Sequence, residues 1–240
     1  MSTATDSAGR PLTVAAAGGW FRPVTRASFP PGRHAPGMRP RASPGAAGDD
    51  AAMSAAPAPM IVISGPSGVG KSTVSRLVAA AFERSVHVQA DALMAFVVNG
   101  WVDPWLPEAE HQHEVVGGAL AVAAMQFAGG GYTTVVDGHL FPRGVQGLAV
   151  ACASRSVPVH YVVLRADLAT CWARASDRGE GHWALEPVTF AESHARFARI
   201  GAHEAHVVGA TGRPEDVAAR VLTAFRAGIA VTGEHSSQNG

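Results

Sequence analysis

The chain has 240 residues, and its 19 lysine and arginine residues are balanced by 19 aspartate and glutamate residues. This balance gives no general electrostatic drive toward nucleic acid or an anionic membrane. No apolar run approaches the ~20 residues that a membrane span needs. Because Cys152 and Cys171 are the only cysteines, nothing favours a disulfide scaffold, and we expect a cytoplasmic protein with ordinary buried thiols.

Residues 1–59 differ in composition from the rest of the chain. They hold nine of the 16 prolines, six arginines, many alanines and glycines, and no sustained periodicity, which is typical of disorder. An Arg-rich, acid-poor start is also found in organelle transit peptides, and three later methionines offer alternative translation starts. We therefore expect a disordered extension over residues 1–59, one domain over 60–228 and a polar tail over 229–240.

The first predicted elements of the domain are a strand and a helix. Met60 to Ser64 form a short apolar run, as expected of a buried parallel strand. Beyond Lys71, apolar residues recur at i, i+3, i+4 and i+7. This period predicts a helix with one buried face that ends near Arg84.

A glycine-rich string joins this strand to this helix. It consists of Gly65, Pro66, Ser67, Gly68, Val69, Gly70, Lys71 and Ser72, followed by Thr73. The spacing is that of a phosphate-binding P-loop, G-x-x-x-x-G-K-[ST], and both flanks argue against a chance glycine-rich turn. Lys71, the only lysine of the chain, would bind the β- and γ-phosphate oxygens, and the Ser72 hydroxyl would bind Mg²⁺.

Strands and helices alternate along the remainder of the domain. We predict strands at residues 86–90, 133–136, 159–164 and 206–208, and helices at 108–127, 142–154, 167–178, 189–201 and from 214 onward. This order implies an α/β fold, a three-layer P-loop NTPase sandwich with a five-stranded parallel sheet. In such sheets, ligands bind at the carboxyl ends of the strands.

Two aspartates follow predicted strands at that edge. Asp137 closes the third strand and suits a Walker-B-like carboxylate oriented to Mg²⁺, although it could instead form a turn before Gly138. Asp91 follows the second strand, where a carboxylate near the phosphates could orient an acceptor hydroxyl and take its proton. Asp91 could also cap a helix that begins at Ala92, and the two roles are compatible.

Two arginines precede a polar, glycine-containing segment. Arg174 and Arg178 lie four residues apart, on one helical face. Phosphoryl transfer needs mobile cations that close over the nucleotide, so we interpret these arginines as the start of a small helical lid. The alternative is a solvated helix surface.

Aromatic and histidine residues give weaker signals. Trp101 and Trp105 could line an acceptor pocket or could pack in the core. No Cys/His spacing typical of a zinc site is present. Among the 11 histidines, His139 lies two residues past Asp137 and is the candidate of most interest.

Three motifs give the chain a resemblance to a known family. The P-loop, the Asp after the second strand and the Arg-x-x-x-Arg pair resemble a small P-loop kinase of the nucleoside-monophosphate-kinase-like group. The similarity is to the chloramphenicol phosphotransferase, zeta-toxin and gluconate-kinase type, and it covers about residues 60–228.

This resemblance implies roles for individual residues. In such enzymes, the residue matching Asp91 acts as base toward the acceptor hydroxyl. The residue matching Arg174 stacks near adenine, and the one matching Arg178 contacts phosphate. The segment 209–213, which contains Thr211, resembles the loop that borders the adenine.

Other P-loop families fit less well. Guanylate kinases carry a Ser/Thr/Arg-rich segment for GMP where this chain has residues 85–89. A GTPase needs an Asn-Lys-x-Asp motif, which a chain with Lys71 as its single lysine does not contain. A AAA-type motor would need a longer module and a sensor region.

We therefore expect an ATP- and Mg²⁺-dependent phosphotransferase that acts on a hydroxyl of a small molecule such as an antibiotic, a sugar acid or a nucleoside. The alternative is a nucleotide-binding regulatory module with little catalysis. A nucleic-acid acceptor is disfavoured because no basic, aromatic-interleaved patch is present. The sequence favours no particular oligomeric state.

Overall fold

The computed structural model describes residues 56–177 and 187–228, which form helices around a five-stranded parallel sheet. The strands are β1 (Met60–Ser64), β2 (Ser85–Gln89), β3 (Thr133–Gly138), β4 (Val159–Arg165) and β5 (Val207–Gly209). Their order across the sheet is β2-β3-β1-β4-β5, and every neighbouring pair is parallel. The predicted α/β sandwich is confirmed.

Seven α-helices connect and cover these strands in the described residues. They are α1 (Lys71–Ala79), α2 (Ala90–Met94), α3 (Glu110–Gly129), α4 (Pro142–Ala153), α5 (Leu168–Ser176), α6 (Pro187–Phe197) and α7 (Pro214–Arg226). Two short 3-10 helices lie at Pro107–Ala109 and Gly201–His206. None of the described helices is both long enough and apolar enough to span a bilayer.

Alternate residues of each strand face opposite layers of the sandwich. In β1, Ile61 and Ile63 belong to a core packed against α1 and α7, whereas Met60 and Val62 belong to a second core packed against α3 and α4. All four side chains are fully buried. Burying such a side chain stabilises the fold by about 1.5–3 kcal/mol, so β1 is strongly fixed beneath the segment that follows it.

Helix α1 is shorter than predicted, because it ends at Ala79 and not near Arg84. Ser85, the first residue of β2, donates its hydroxyl to the carbonyl oxygen of Ala79 at 2.7 Å. This bond satisfies one of the carbonyls that a helix leaves free at its C-terminus. Phe82 still packs against the core from the turn, edge-on to Phe225 at 5.7 Å.

Other boundaries differ by a few residues. β2 ends at Gln89, one residue before the predicted end, and Ala90 begins α2. α3 starts two residues later than predicted and continues to Gly129. The chain then reverses at Gly131, whose φ of 79° favours glycine. α6 begins two residues before and ends four residues before the predicted limits.

Some predictions fall outside the described residues. The predicted extension over residues 1–59 lies there except for 56–59, which lead into β1. The predicted tail over 229–240 lies there as well. So do Arg178 and most of the predicted lid segment.

Both cysteines are buried thiols that form no disulfide. Burial raises the pKa of Cys152 to about 11. Burial also raises the pKa of Cys171. The structure therefore gives these thiols the packing role expected of them.

Candidate nucleotide-binding site

The P-loop joins β1 to α1 at the carboxyl edge of the sheet, in the strand-to-helix context that the motif requires. Gly65, Gly68 and Gly70 have φ angles of 143°, 75° and 100°. L side chains rarely adopt this region, so the loop depends on glycine. Between these turns Val69 buries its side chain and anchors the loop to the core, with 2% of its surface exposed.

Lys71 is buried against the loop that it follows, with 8% of its surface exposed. Its Nζ donates hydrogen bonds to the carbonyl oxygens of Gly65 and Pro66, each at 3.0 Å. A buried ammonium group needs such charge-assisted bonds to offset its desolvation. These two bonds hold the ammonium charge of Lys71 against the P-loop backbone. An anion bound by the loop would lie next to this charge.

The N-terminus of α1 points its main-chain N–H groups into the same region. Gly70 is the N-cap, and no side chain caps the helix. The first main-chain hydrogen bond runs from the amide of Val74 to the carbonyl of Gly70 at 3.1 Å. The preceding amides, including those of Ser72 and Thr73, are the groups that bind phosphate at helix N-termini. Ser72 is partly exposed in this first turn.

Asp137 lies on β3, next to the strand that leads into the P-loop, and pairs in register with Ile63. Its surface is 2% exposed, and its Oδ2 lies 3.0 Å from Nε2 of His87 on β2. Because β3 continues to Gly138, Asp137 is a strand residue, and the alternative of a turn-forming aspartate is wrong. His87 supplies the partner that a buried carboxylate needs.

The oxygen atoms of Ser72 and Asp137 suit Mg²⁺, which prefers hard oxygen ligands. Mg²⁺ commonly binds through one or two protein oxygens, with phosphate oxygens and waters as its other ligands. Within residues 56–177 and 187–228, no group of three or more His, Cys, Asp or Glu side chains could hold a metal. The residues present therefore fit a metal ion that arrives with a nucleotide, and not an all-protein metal cage.

Ser64 ties β1 to the segment that follows β3. Its buried Oγ donates to the carbonyl of Gly138 at 3.1 Å and accepts from the amide of Leu140 at 3.0 Å. Tyr161 of β4 donates its hydroxyl to the carbonyl of Leu140 at 2.9 Å. The sequence alone does not single out Ser64, for which the available signal is a hydroxyl at the last position of an apolar strand.

His139 lies in the segment that Ser64 holds. Its Nε2 is 3.0 Å from the Oγ of Ser193 on α6, and its ring packs edge-on against Phe197 at 5.3 Å. Burial holds the pKa of His139 well below its ordinary value, and the positive charges of Lys71 and Arg196 lower it further. The imidazole is therefore neutral at neutral pH, at the edge of the P-loop region.

Asp91 lies in the first turn of α2, and its surface is exposed. The N-cap of this helix is Gln89, so the alternative in which Asp91 caps a helix beginning at Ala92 is wrong. A Cβ built on Gly138 would lie 2.6 Å from the Cβ of Ala90. The start of α2 therefore contacts the end of β3, which places Asp91 at the same edge of the sheet as the P-loop.

Arg174 on α5 contacts the P-loop. Its Nη1 donates to the carbonyl oxygens of Val69 at 3.4 Å and Ala210 at 3.2 Å. Ala210 directly follows β5, so Arg174 joins the P-loop to the segment that contains the exposed Thr211. Because Arg174 makes these contacts, the alternative in which it lies on a purely solvated helix surface is wrong.

The two tryptophans lie in the connection between α2 and α3. Trp105 has 45% of its surface exposed, so core packing is not its role. Trp101 is partly exposed, and its Nε1 donates to Oδ1 of Asp103 at 3.3 Å. An acceptor-binding role for this connection stays a prediction.

A family model described as an AAA domain matches residues 60–200, more than half of the chain. The chain belongs to this AAA domain family, AAA_33. The matched span begins with β1 and contains the P-loop, Asp91, Asp137 and Arg174. The resemblance to a small P-loop kinase is confirmed. That the domain is too short for a AAA-type motor stays a prediction.

Solved structures share the fold of this AAA_33 domain. A sugar kinase from Janibacter sp. HTCC2649 has a TM-score of 0.56 and 22% identity, covering 71% of this chain and 95% of that one. A gluconokinase from Sinorhizobium meliloti 1021 has a TM-score of 0.50 and 17% identity, covering 72% and 94%. The tunicamycin resistance protein of Deinococcus radiodurans has a TM-score of 0.50 and 20% identity, covering 73% and 98%. At these identities the likeness establishes the fold, a kinase-like P-loop domain. No curated protein matches the sequence.

Proposed function

We propose that this protein is an ATP- and Mg²⁺-dependent phosphotransferase that moves the γ-phosphoryl group to a hydroxyl of a small molecule. The observation that carries the proposal is the buried ammonium of Lys71, bonded to the curled P-loop backbone beside the uncapped N-terminus of α1. This combination binds the phosphates of a nucleotide. Family membership and the likeness to a sugar kinase and a gluconokinase support a kinase among the P-loop proteins.

Three parts of the chain would bind ATP. Residues 65–73 would hold the phosphates through their main-chain N–H groups, which all but Pro66 possess, and through the Lys71 ammonium. Arg174 would border the base together with Thr211, because it already contacts the carbonyl oxygen of Ala210 in the segment 209–213. Arg178, outside the described residues, stays a predicted phosphate contact.

Ser72 and Asp137 would hold Mg²⁺, with Asp137 acting directly or through a water. When bound, the ion neutralises charge on the β- and γ-phosphate oxygens. The protein contributes the placement of its own oxygen ligands, the hydroxyl in the first turn of α1 and the buried carboxylate on β3.

Asp91 would orient the acceptor hydroxyl and take its proton. As that hydroxyl oxygen bonds to the γ-phosphorus, the bond from this phosphorus to the β–γ bridging oxygen breaks and ADP leaves. An exposed carboxylate at the carboxyl end of β2 is accessible to such an acceptor. The exposed side chains of Phe96, Trp105 and Leu106 follow along the chain and would supply apolar contacts to the acceptor.

The test is an acceptor panel with ATP labelled at the γ-phosphate. Sugar acids, nucleosides and antibiotics are each added to the purified protein in magnesium buffer, and both ADP release and label transfer are measured. Acceptor-dependent transfer that is lost in Lys71→Ala supports the proposal. If the protein binds nucleotide tightly but no acceptor stimulates ADP release, the result would favour the regulatory module instead.

A further inference from the structure

We propose that His87 is a positioning residue that orients the carboxylate of Asp137 toward bound Mg²⁺. This inference rests on the proposed function. Nε2 of His87 lies 3.0 Å from Oδ2 of Asp137, and the two side chains are only 14% and 3% exposed. His87 belongs to none of the motifs in the sequence and is not part of the P-loop.

The placement of His87 follows from the register of two neighbouring strands. β2 pairs with β3 in parallel, with His87 opposite Val135 and Gln89 opposite Asp137. His87 and Asp137 therefore have the same parity as Val135, which belongs to the core beneath α1. The imidazole reaches diagonally along this face of the sheet, from beside Val135 to the carboxylate two residues farther on.

The chemistry of the pair favours a donor role for His87. A carboxylate that binds a metal ion only accepts hydrogen bonds, so in the proposed role Nε2 of His87 would be the donor to Oδ2 of Asp137. The bond engages Oδ2 of Asp137, so Oδ1 is the oxygen that would face a metal ion or its water. A fixed donor also limits rotation of the carboxylate, and the partners of metal ligands act in this way on metal affinity.

His87 would act through Asp137 and would not itself contact the nucleotide. It is therefore a positioning residue and not a catalytic one. The competing interpretation is that the pair only stabilises the junction of β2 and β3. That role would change the stability of the fold without changing how much magnesium the protein needs.

The experiment measures the free Mg²⁺ concentration at which a fluorescent, non-hydrolysable ATP analogue is half-maximally bound, together with its binding in EDTA. His87→Leu removes the donor and keeps similar bulk. His87→Gln retains an N–H donor at nearly the same reach. The matched control is His160→Leu, because His160 lies on the same face of the sheet in β4 and packs on Phe225 at 4.6 Å.

We expect His87→Leu to raise the required Mg²⁺ concentration about 10- to 100-fold while binding in EDTA stays at the wild-type level. His87→Gln and His160→Leu should both resemble the wild type. An unchanged magnesium requirement in His87→Leu overturns the inference, as does an equal loss of binding in EDTA. If His87→Leu does not fold, His87→Phe takes its place, since it keeps a planar ring and lacks both ring nitrogens.

A double-mutant comparison separates this inference from the proposed function. If His87 acts through Asp137, adding His87→Leu to Asp137→Asn should raise the magnesium requirement no further. A raised requirement in Asp137→Asn with none in His87→Leu overturns only the role of His87. A requirement that Asp137→Asn leaves unchanged overturns the metal assignment on which the inference rests.

Discussion

Gly68 in the P-loop lies directly against the main chain of Cys171 in α5, so that a Cβ atom on Gly68 would fall 1.9 Å from the carbonyl oxygen of Cys171. No side chain fits in that space, and the φ of 75° at Gly68 also favours glycine. Because α5 carries Arg174, this close approach places the guanidinium within reach of the P-loop carbonyl of Val69. The glycine motif thus sets the position of a neighbouring helix as well as the curl of the loop.

Gly68→Ala should destabilise the protein more than Gly70→Ala. Both positions have positive φ, so backbone strain of about 1–3 kcal/mol is expected at each. A Cβ on Gly70 would meet nothing within 4 Å, whereas a Cβ on Gly68 would overlap α5. We expect the overlap to add about 1–3 kcal/mol to the loss for Gly68→Ala, measured by urea unfolding without nucleotide. Equal losses would show that α5 is free to move away.

Asp91→Asn should lower kcat for phosphoryl transfer about 10²- to 10⁴-fold, because an amide cannot take the proton of the acceptor hydroxyl. Because Asp91 would contact the acceptor and not ATP, ATP affinity should stay near its wild-type value. Because Asp91 is exposed, the unfolding free energy should also change little. Steady-state kinetics together with nucleotide titration measure both quantities. Transfer at the wild-type rate would assign the base to another group.

The alkaline stability of the protein should report on Tyr161. Burial raises the pKa of Tyr161 to about 12, and its hydroxyl donates to the carbonyl of Leu140. An unfolded tyrosine has a pKa of about 10, so the folded state keeps this proton longer. The stability that the group contributes is therefore fully present below pH 10 and is lost as the pH rises toward 12, by at most about 1.4 kcal/mol per pH unit.

Tyr161→Phe is the variant that isolates this contribution. It should be less stable than the wild type below pH 10, because the carbonyl of Leu140 loses its partner, at a cost of about 1–3 kcal/mol. The gap between the two proteins should then narrow as the pH rises, in urea unfolding series at matched pH values. When the absorbance of tyrosinate in the native protein is followed against pH, the transition at the highest pH should be absent in Tyr161→Phe. A constant gap at every pH would contradict the raised pKa.

The fold and the core of the site could be predicted because they depend on local patterns. Met60–Ser64 reads as a continuous apolar run since both faces of β1 are covered. The P-loop glycines and Lys71 stand at fixed spacing between that strand and α1. Parallel topology then placed Asp91 and Asp137 at the same edge of the sheet, as the structure has them.

The contacts that hold the site together could not be predicted, because they depend on register between distant segments. His87 and Asp137 are 50 positions apart, and the bond from Ser64 to Gly138 spans 74. No single strand specifies which residue of its neighbour it will face. The contact of Arg174 with Val69 spans 105 positions and depends on how closely α5 approaches the loop.

The end of α1 shows the same limit at short range. The apolar period continues beyond Ala79, because Phe82 packs on the core from a turn. The helix nevertheless stops where the hydroxyl of Ser85 takes the carbonyl of Ala79. The main chain turns there as well, because the amide of Phe82 also donates to the carbonyl of Ala79, at 3.2 Å. Periodicity alone placed this boundary about five residues later.

The most direct test is calorimetric titration of the purified protein with ATP in magnesium buffer. We predict saturable binding by the wild type and binding about 10- to 100-fold weaker in Lys71→Ala, because the ammonium makes charge-assisted bonds to the phosphates. Arg76→Ala, which removes an exposed cation from the same helix, is the control and should bind as the wild type does. A folded wild-type protein that binds no nucleoside triphosphate, or a Lys71→Ala variant with unchanged affinity, would contradict the assignment of this P-loop as a nucleotide site.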